Sequence, residues 1–248
     1  MPRLLILLLC LISLSASAQT LLKRPLQFVS PDSVFVLPRA DHNVIMDIMA
    51  VAPFASPKTI VATKAERKEA KANGGVLTAP TTAFERTEHN AKMLLLTAEA
   101  HYAEDLERSY FTTLPQALVD DGILPLSERQ AAAQQLLDLT GTLIATDNAR
   151  SVYVNVFENC VARVHTKKFR MLLDMISQYP DGPMVKLRID GLDKNGTPFA
   201  LHIRIPEHGA PDKYFINGHE IIRPVVSGGY IVIDRKWRNG EEVYFVLN

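Results

Sequence analysis

From Ser151 to the end of the chain the apolar positions recur with a period of two. Val152, Val154 and Val156 alternate with Tyr153, Asn155 and Phe157, and Val185-Leu187-Ile189, Leu201-Ile203-Ile205, Tyr230-Val232 and Val243-Phe245 follow. Successive side chains of a strand point to opposite faces, so this pattern predicts strands with one face buried. Gly-containing turn signals separate them: Pro180-Asp181-Gly182, Lys194-Asn195-Gly196, Asn217-Gly218, Gly228-Gly229 and Asn239-Gly240. Strands at this spacing predict an antiparallel β-sandwich of about a hundred residues.

Upstream the period lengthens. Met93, Leu96, Ala100, Ala103, Leu106 and Tyr110 recur every three or four residues, which predicts one helix from Glu85 to Leu114 with a single apolar face. A second helix is expected over Ala131 to Leu139, with Ser127 and Gln130 as a capping box and Gly141 as its stop. Residues 19–82 are punctuated by Pro25, Pro31, Pro38, Pro53, Pro57 and Pro80, which bracket short apolar runs such as Val34 to Leu37 and Val44 to Val51; short strands or extended arms are expected. Thr63 to Lys71, closed by Asn73-Gly74-Gly75, reads as a solvated helix of interleaved charge.

The first residues carry a different signal. Arg3, the apolar run Leu4 to Leu14 and Ala16-Ser17-Ala18 have the three parts of a secretory signal, which predicts cleavage before Gln19 and export to the periplasm or beyond. The run is shorter than the roughly 20 residues a spanning helix needs, and no later segment is long enough, so no membrane span is expected. The expected organisation is therefore a signal peptide over 1–18, a proline-punctuated segment over 19–82, a helical segment over 83–146 and a β-sandwich over 147–248, a β-rich α+β fold.

Charge and cysteine content narrow the chemistry. The 248 residues contain 27 Lys and Arg against 27 Asp and Glu, no basic excess to neutralise phosphates, so a nucleic-acid partner is disfavoured. Removal of Cys10 with the signal leaves Cys160 alone, which excludes an intramolecular disulfide and a cysteine-rich zinc site. Cys160 is expected to be a small buried residue of a strand.

Several stretches resemble one family in order and spacing. Ser177-Gln178-Tyr179-Pro180-Asp181-Gly182, Phe199 to Pro206, Ile216-Asn217-Gly218 and Gly229 to Glu241 are similar to landmarks of the C-terminal β-sandwich of glycoside hydrolase family 127, the β-L-arabinofuranosidase-like enzymes. Gly141 to Asp147 with Val152 to Asn155 resembles the end of that family's α/α barrel. Ala83 to Thr87, Met93-Leu94 and Tyr102 to Tyr110 resemble one of its last barrel helices. The resemblance covers about residues 83–248. A whole barrel needs more helices than this chain holds, so the helical segment reads as a remnant.

The resemblance implies a zinc held by one glutamate and three cysteines, one of which attacks the anomeric carbon. Aligned on Met93-Leu94, the family's Glu-Thr-Cys falls on Arg86-Thr87-Glu88, and aligned on Gly141, its Cys-Cys pair falls on Ser127-Glu128. All three cysteines are replaced, so neither metal nor cofactor is expected. One expectation is that Arg86 sits between Glu88 and Glu128 and takes over the positive charge of the metal; three unrelated surface charges are the alternative.

Other constellations carry less. Glu85 with His89, then Glu88, Glu99, Glu104 and Asp105, lie along one helix, where carboxylates do not face one another across a cleft as glycoside hydrolysis requires, so a solvated face is expected. His42, His89, His101, His165, His202, His208 and His219 form no His-x-x-x-His pair, and no phosphate loop, nucleophile elbow or dinucleotide fingerprint is present. Trp237, Tyr230, Tyr179, Tyr214 and Tyr244 are candidate sugar platforms, with core packing as the competing role.

Three readings follow. The first is an exported, non-catalytic carbohydrate-binding or accessory module. The second is an active glycosidase that uses Glu85, Glu88 or Glu128 in a deep cleft. The third is a structural or interaction subunit, with a protein partner or a second copy docking on an apolar face of the 93–114 helix.

Overall fold

The computed structural model describes residues 19–36, 55–119, 125–207 and 209–248. The signal-like segment 1–18 and the run Val44 to Val51 lie outside the described residues.

Two sheets face each other. The first has the order β1 (Gln27–Phe28), β3 (Ile144–Thr146), β4 (Ser151–Val154), β8 (Thr197–Arg204), β12 (Tyr230–Trp237) and β11 (Val225–Ser227). The second runs β10 (His219–Glu220), β9 (Tyr214–Ile216), β13 (Glu241–Val246), β7 (Met184–Asp190), β6 (Arg170–Ser177), β5 (Cys160–His165) and β2 (Val34–Val36). All pairs are antiparallel except β4 and β8, which run parallel with Val152 opposite Leu201. The expected sandwich is borne out, and the alternation sets its core: Val152, Leu187, Leu201, Ile203, Val243 and Phe245 are fully buried between the sheets. The run Val152 to Val164 is two strands, one in each sheet.

The proline-punctuated segment completes the sandwich at one edge of each sheet. β1 pairs with β3 and β2 with β5. Its extended stretch also caps a helix: the backbone N–H groups of Leu22 and Leu26 donate to the carbonyls of Leu96 and Leu95, which a helix C-terminus leaves without intrahelical partners.

The helices form a layer beside the first sheet: α1 (Lys64–Ala72), α2 (Ala83–Thr97), α3 (Ala100–Arg108), α4 (Leu114–Val119) and α5 (Leu126–Leu139). Reciprocal capping boxes start α1 at Thr63 with Glu66 and α2 at Thr82 with Glu85. The single helix expected over 85–114 is broken at Ala98, which takes left-handed backbone angles at φ 56°. The reason is tertiary: the Gly228-Gly229 turn between β11 and β12 enters the break, the Gly228 carbonyl accepts the Ala100 N–H at 2.9 Å, and a Cβ on Gly229 would lie 2.5 Å from that of Ala100. The apolar stripe is nonetheless spent inside the chain, with Met93, Leu96, Ala103 and Leu106 at 0% exposure. The docking face expected on the 93–114 helix is therefore occupied by the protein's own core.

Two other local expectations are corrected. α5 starts at Leu126, with the Pro125 carbonyl accepting from Glu128 and Arg129, so Ser127 lies in the first turn and is not a cap. Gly141 is a close-packing glycine: a Cβ there would sit 2.6 Å from the Val29 carbonyl oxygen. No helix among the described residues is long and apolar enough to cross a membrane.

Candidate functional site

The positions at which the resemblance implies zinc ligands do not converge. Arg86, Ser127 and Glu128 are exposed, Glu88 pairs with Lys92 at 2.5 Å, and Arg86 makes no ion pair with Glu88 or Glu128. The expected guanidinium bridge is not formed, because the two helices present these side chains to solvent. A guanidinium cannot ligate zinc, Ser127 and Thr87 offer neutral hydroxyls, and no group of three His, Cys, Asp or Glu among the described residues is placed to hold a metal. The family's zinc does not fit the residues present. Cys160, the one thiol among the described residues, is sealed inside the sandwich, where burial pushes its pKa up, the wrong direction for a thiolate nucleophile.

Carboxylates do gather in a hollow of about 300 Å³ between α1 and α2, lined by Glu66, Glu69, Glu85, Glu88, His89 and Lys92. Each of the first three has a structural task. Burial pushes the Glu66 carboxyl up, but bonds from Lys92 and Thr63 outweigh this and hold it below the usual range. The Thr78 hydroxyl and N–H hold Glu69 low, and those of Thr81 and Thr82 do the same for Glu85. A glycosidase needs one carboxyl raised towards neutrality to protonate the leaving oxygen. These are shifted the other way.

The strongest polar cluster lies where the sequence predicted a solvated helix face. Arg204, at the end of β8, is fully buried and its guanidinium pairs with both Glu104 and Glu107 of α3. Its Nε donates to the Asn155 carbonyl at 2.6 Å, and it lies 5.2 Å over the Phe157 ring. Asn155 is held in turn by its amide to the Thr142 carbonyl and by the Tyr230 hydroxyl, both at 2.9 Å. The Tyr179 hydroxyl meets Glu107, whose pKa burial raises against the pull of Arg204. The cluster clamps the helix layer to the first sheet. A signal for it exists in the sequence, since Glu107 is four residues after Ala103 and three before Tyr110, inside the apolar stripe, where a carboxylate needs a buried cation.

The aromatic candidates divide. Trp237 is fully buried and donates to the Phe199 carbonyl at 3.0 Å, and Tyr230 is buried against Asn155, so neither is a sugar platform; their strand phase or the covering helix turns them inward. Tyr214 is buried too. Tyr179 is half-buried against Phe111 and Phe157 and engaged with Glu107. Tyr244 is half-buried on the outward face of the second sheet. Beyond these, Tyr153 stacks on His202 with centroids 4.0 Å apart on the outward face of the first sheet, where burial pushes His202 down to about 4.

Comparison with known proteins bears out the resemblance. Residues 151–248 match the family model described as beta-L-arabinofuranosidase, GH127 middle domain. No curated protein matches the chain. Among solved structures, a GH127 beta-arabinofuranosidase aligns at 21% identity with a TM-score of 0.55, and a GH127 beta-L-arabinofuranosidase from Geobacillus stearothermophilus T6 at 18% and 0.57. A structure described as a glycoside hydrolase aligns at 18% and 0.57. Each alignment covers 66% of this chain and 31% of the other, so the chain spans about a third of the length of the proteins whose fold it shares.

Proposed function

We propose that this chain, whose residues 151–248 match the middle domain of the family 127 β-L-arabinofuranosidases, is an exported, non-catalytic carbohydrate-binding or accessory module. The observation that supports it best is chemical: where the resemblance implies a zinc-thiolate centre, the chain has an exposed Arg86, an ion-paired Glu88 and exposed Ser127 and Glu128. Among the described residues no thiolate replaces them, since the Cys160 sulfur is buried between the sheets. Export rests on the three-part signal over residues 1–18.

The glycosidase reading loses support in the acidic hollow, where Glu66, Glu69 and Glu85 are held below the usual carboxylate range. The interaction reading loses the 93–114 stripe but gains another surface, Ile222 just before β11 with Val225 and Val226 in it, which are 82%, 64% and 58% exposed.

The test is metal content together with hydrolysis of a panel of aryl-arabinofuranosides by the purified chain from residue 19 to 248. Neither stoichiometric zinc nor turnover is expected. Turnover above the uncatalysed rate, or one zinc per chain, overturns the proposal.

A further inference from the structure

We infer that the outward face of the second sheet, centred on Tyr244 and Phe215, is the surface on which this chain binds a neutral glycan; the inference rests on the carbohydrate-binding reading above. The strand register carries it. Across four neighbouring strands Ile176 lies opposite Lys186, Lys186 opposite Tyr244 and Tyr244 opposite Phe215, all in the outward phase. The two rings stand 6.3 Å apart at 45° and each is half-buried, so ring surface is supported from below and open above.

Polar groups flank the rings on the same face. The Lys186 ammonium meets Glu242 at 3.3 Å, and Arg188 reaches Glu242 at 4.0 Å and Asp190 at 2.8 Å. Each ammonium, guanidinium and carboxylate in these pairs retains donors or acceptors beyond the ones its partner uses. The ion pairs that tie α3 to a sheet, Arg204 with Glu104 and Glu107, lie on the first sheet, on the other side of the sandwich.

Charge complementarity selects the occupant. Cations and anions interleave at near balance, which gives no field to hold a polyanion such as nucleic acid or an acidic polysaccharide. Lys186, Arg188, Asp190 and Glu242 sit among the apolar positions of this face, and an amphipathic helix docked there would have to desolvate them. A neutral glycan presents C–H faces to rings and hydroxyls to charged hydrogen-bonding groups, the two features this face alternates.

The experiment is affinity electrophoresis of the full mature chain in gels containing arabinan, arabinogalactan or xylan, repeated with variants. Retardation by at least one polysaccharide is expected, weakened roughly tenfold by Tyr244→Ala or Phe215→Ala and retained by Tyr244→Phe, which keeps the ring. Lys186→Ala, at a partly exposed side chain, gives a roughly threefold loss without a folding change. Hydrogen exchange with the bound polysaccharide adds a reading independent of mutation, with protection expected in β9 and β13. Binding by the parent chain that these variants leave unchanged, or protection elsewhere, overturns this surface while the carbohydrate-binding reading stands. No retardation of the parent chain in any of the three gels overturns both, and a dimer that Tyr244→Ala dissociates in the same gels assigns the face to a second copy instead.

Discussion

The outward faces of the two sheets are built from the same alternating pattern, yet they end in opposite environments. On the first sheet the outward phase of β8 and β12 brings Arg204, His202 and Tyr230 under or beside the helix layer. On the second it brings Lys186, Arg188, Glu242 and Tyr244 to the solvent side, Arg188 exposed and the others half-buried. Alternation defines which residues share a face, and only the neighbouring layer decides whether that face is wet. The same residue type therefore does different work: Arg204 is a buried clamp, while Arg188 belongs to an exposed mosaic.

The sharpest way to break this contrast is to remove one arginine from each face. Arg204→Ala leaves Glu104 and Glu107 without their cation in a dry site and is expected to cost about 3–5 kcal/mol, read as a large fall in the urea midpoint. Substituting the turn that locks the helix break comes next. Gly229→Ala adds a Cβ 2.5 Å from that of Ala100 at a φ of 81°, and a loss of about 2 kcal/mol is expected by thermal or urea unfolding.

Titration separates the faces by a third route. Burial holds His202 at about 4 in the folded chain against 6.5 for the free side chain, so the unfolded state binds the extra proton first. Stability is thus highest above pH 6.5 and declines as pH falls towards 4, by on the order of 2 kcal/mol, in a urea series across that window. His202→Gln flattens the slope. Arg188→Ala on the open face is the smallest effect, a urea midpoint indistinguishable from the parent's, since its partners are largely solvated. A fall in midpoint comparable to that of Arg204→Ala contradicts the open mosaic.

The sandwich was legible from the chain because period-two patterning and glycine turns are local signals, and both survive into the structure with Val185-Leu187-Ile189 and Leu201-Ile203 facing inward. The N-terminal segment was legible as short strands or extended arms, but not which strands they would join, since Val34–Val36 pairs with β5, more than a hundred residues away. The break at Ala98 left no local trace: Thr97-Ala98-Glu99 contains no proline or glycine, and the cause sits at Gly228-Gly229. For the site, the missing cysteines were plain in the sequence. The Arg204 clamp was not read, because β8 alternation assigns Arg204 to an outward position and a solvated role. Trp237 as a candidate platform failed for the complementary reason, since its strand phase points it between the sheets.

The stretch that matches the family model opens at Ser151, inside the sandwich's own hydrogen-bond ladder. β3 borders β4 on one side of that boundary and β2 borders β5, both supplied by residues upstream of it. A fragment cut at the matched boundary carries two raw strand edges, at β4 and β5, with ladder donors and acceptors ready to recruit strands from other molecules. Expressed alone, residues 151–248 are expected to polymerise through these edges, and the minimal soluble unit of this chain reaches back to at least Leu26.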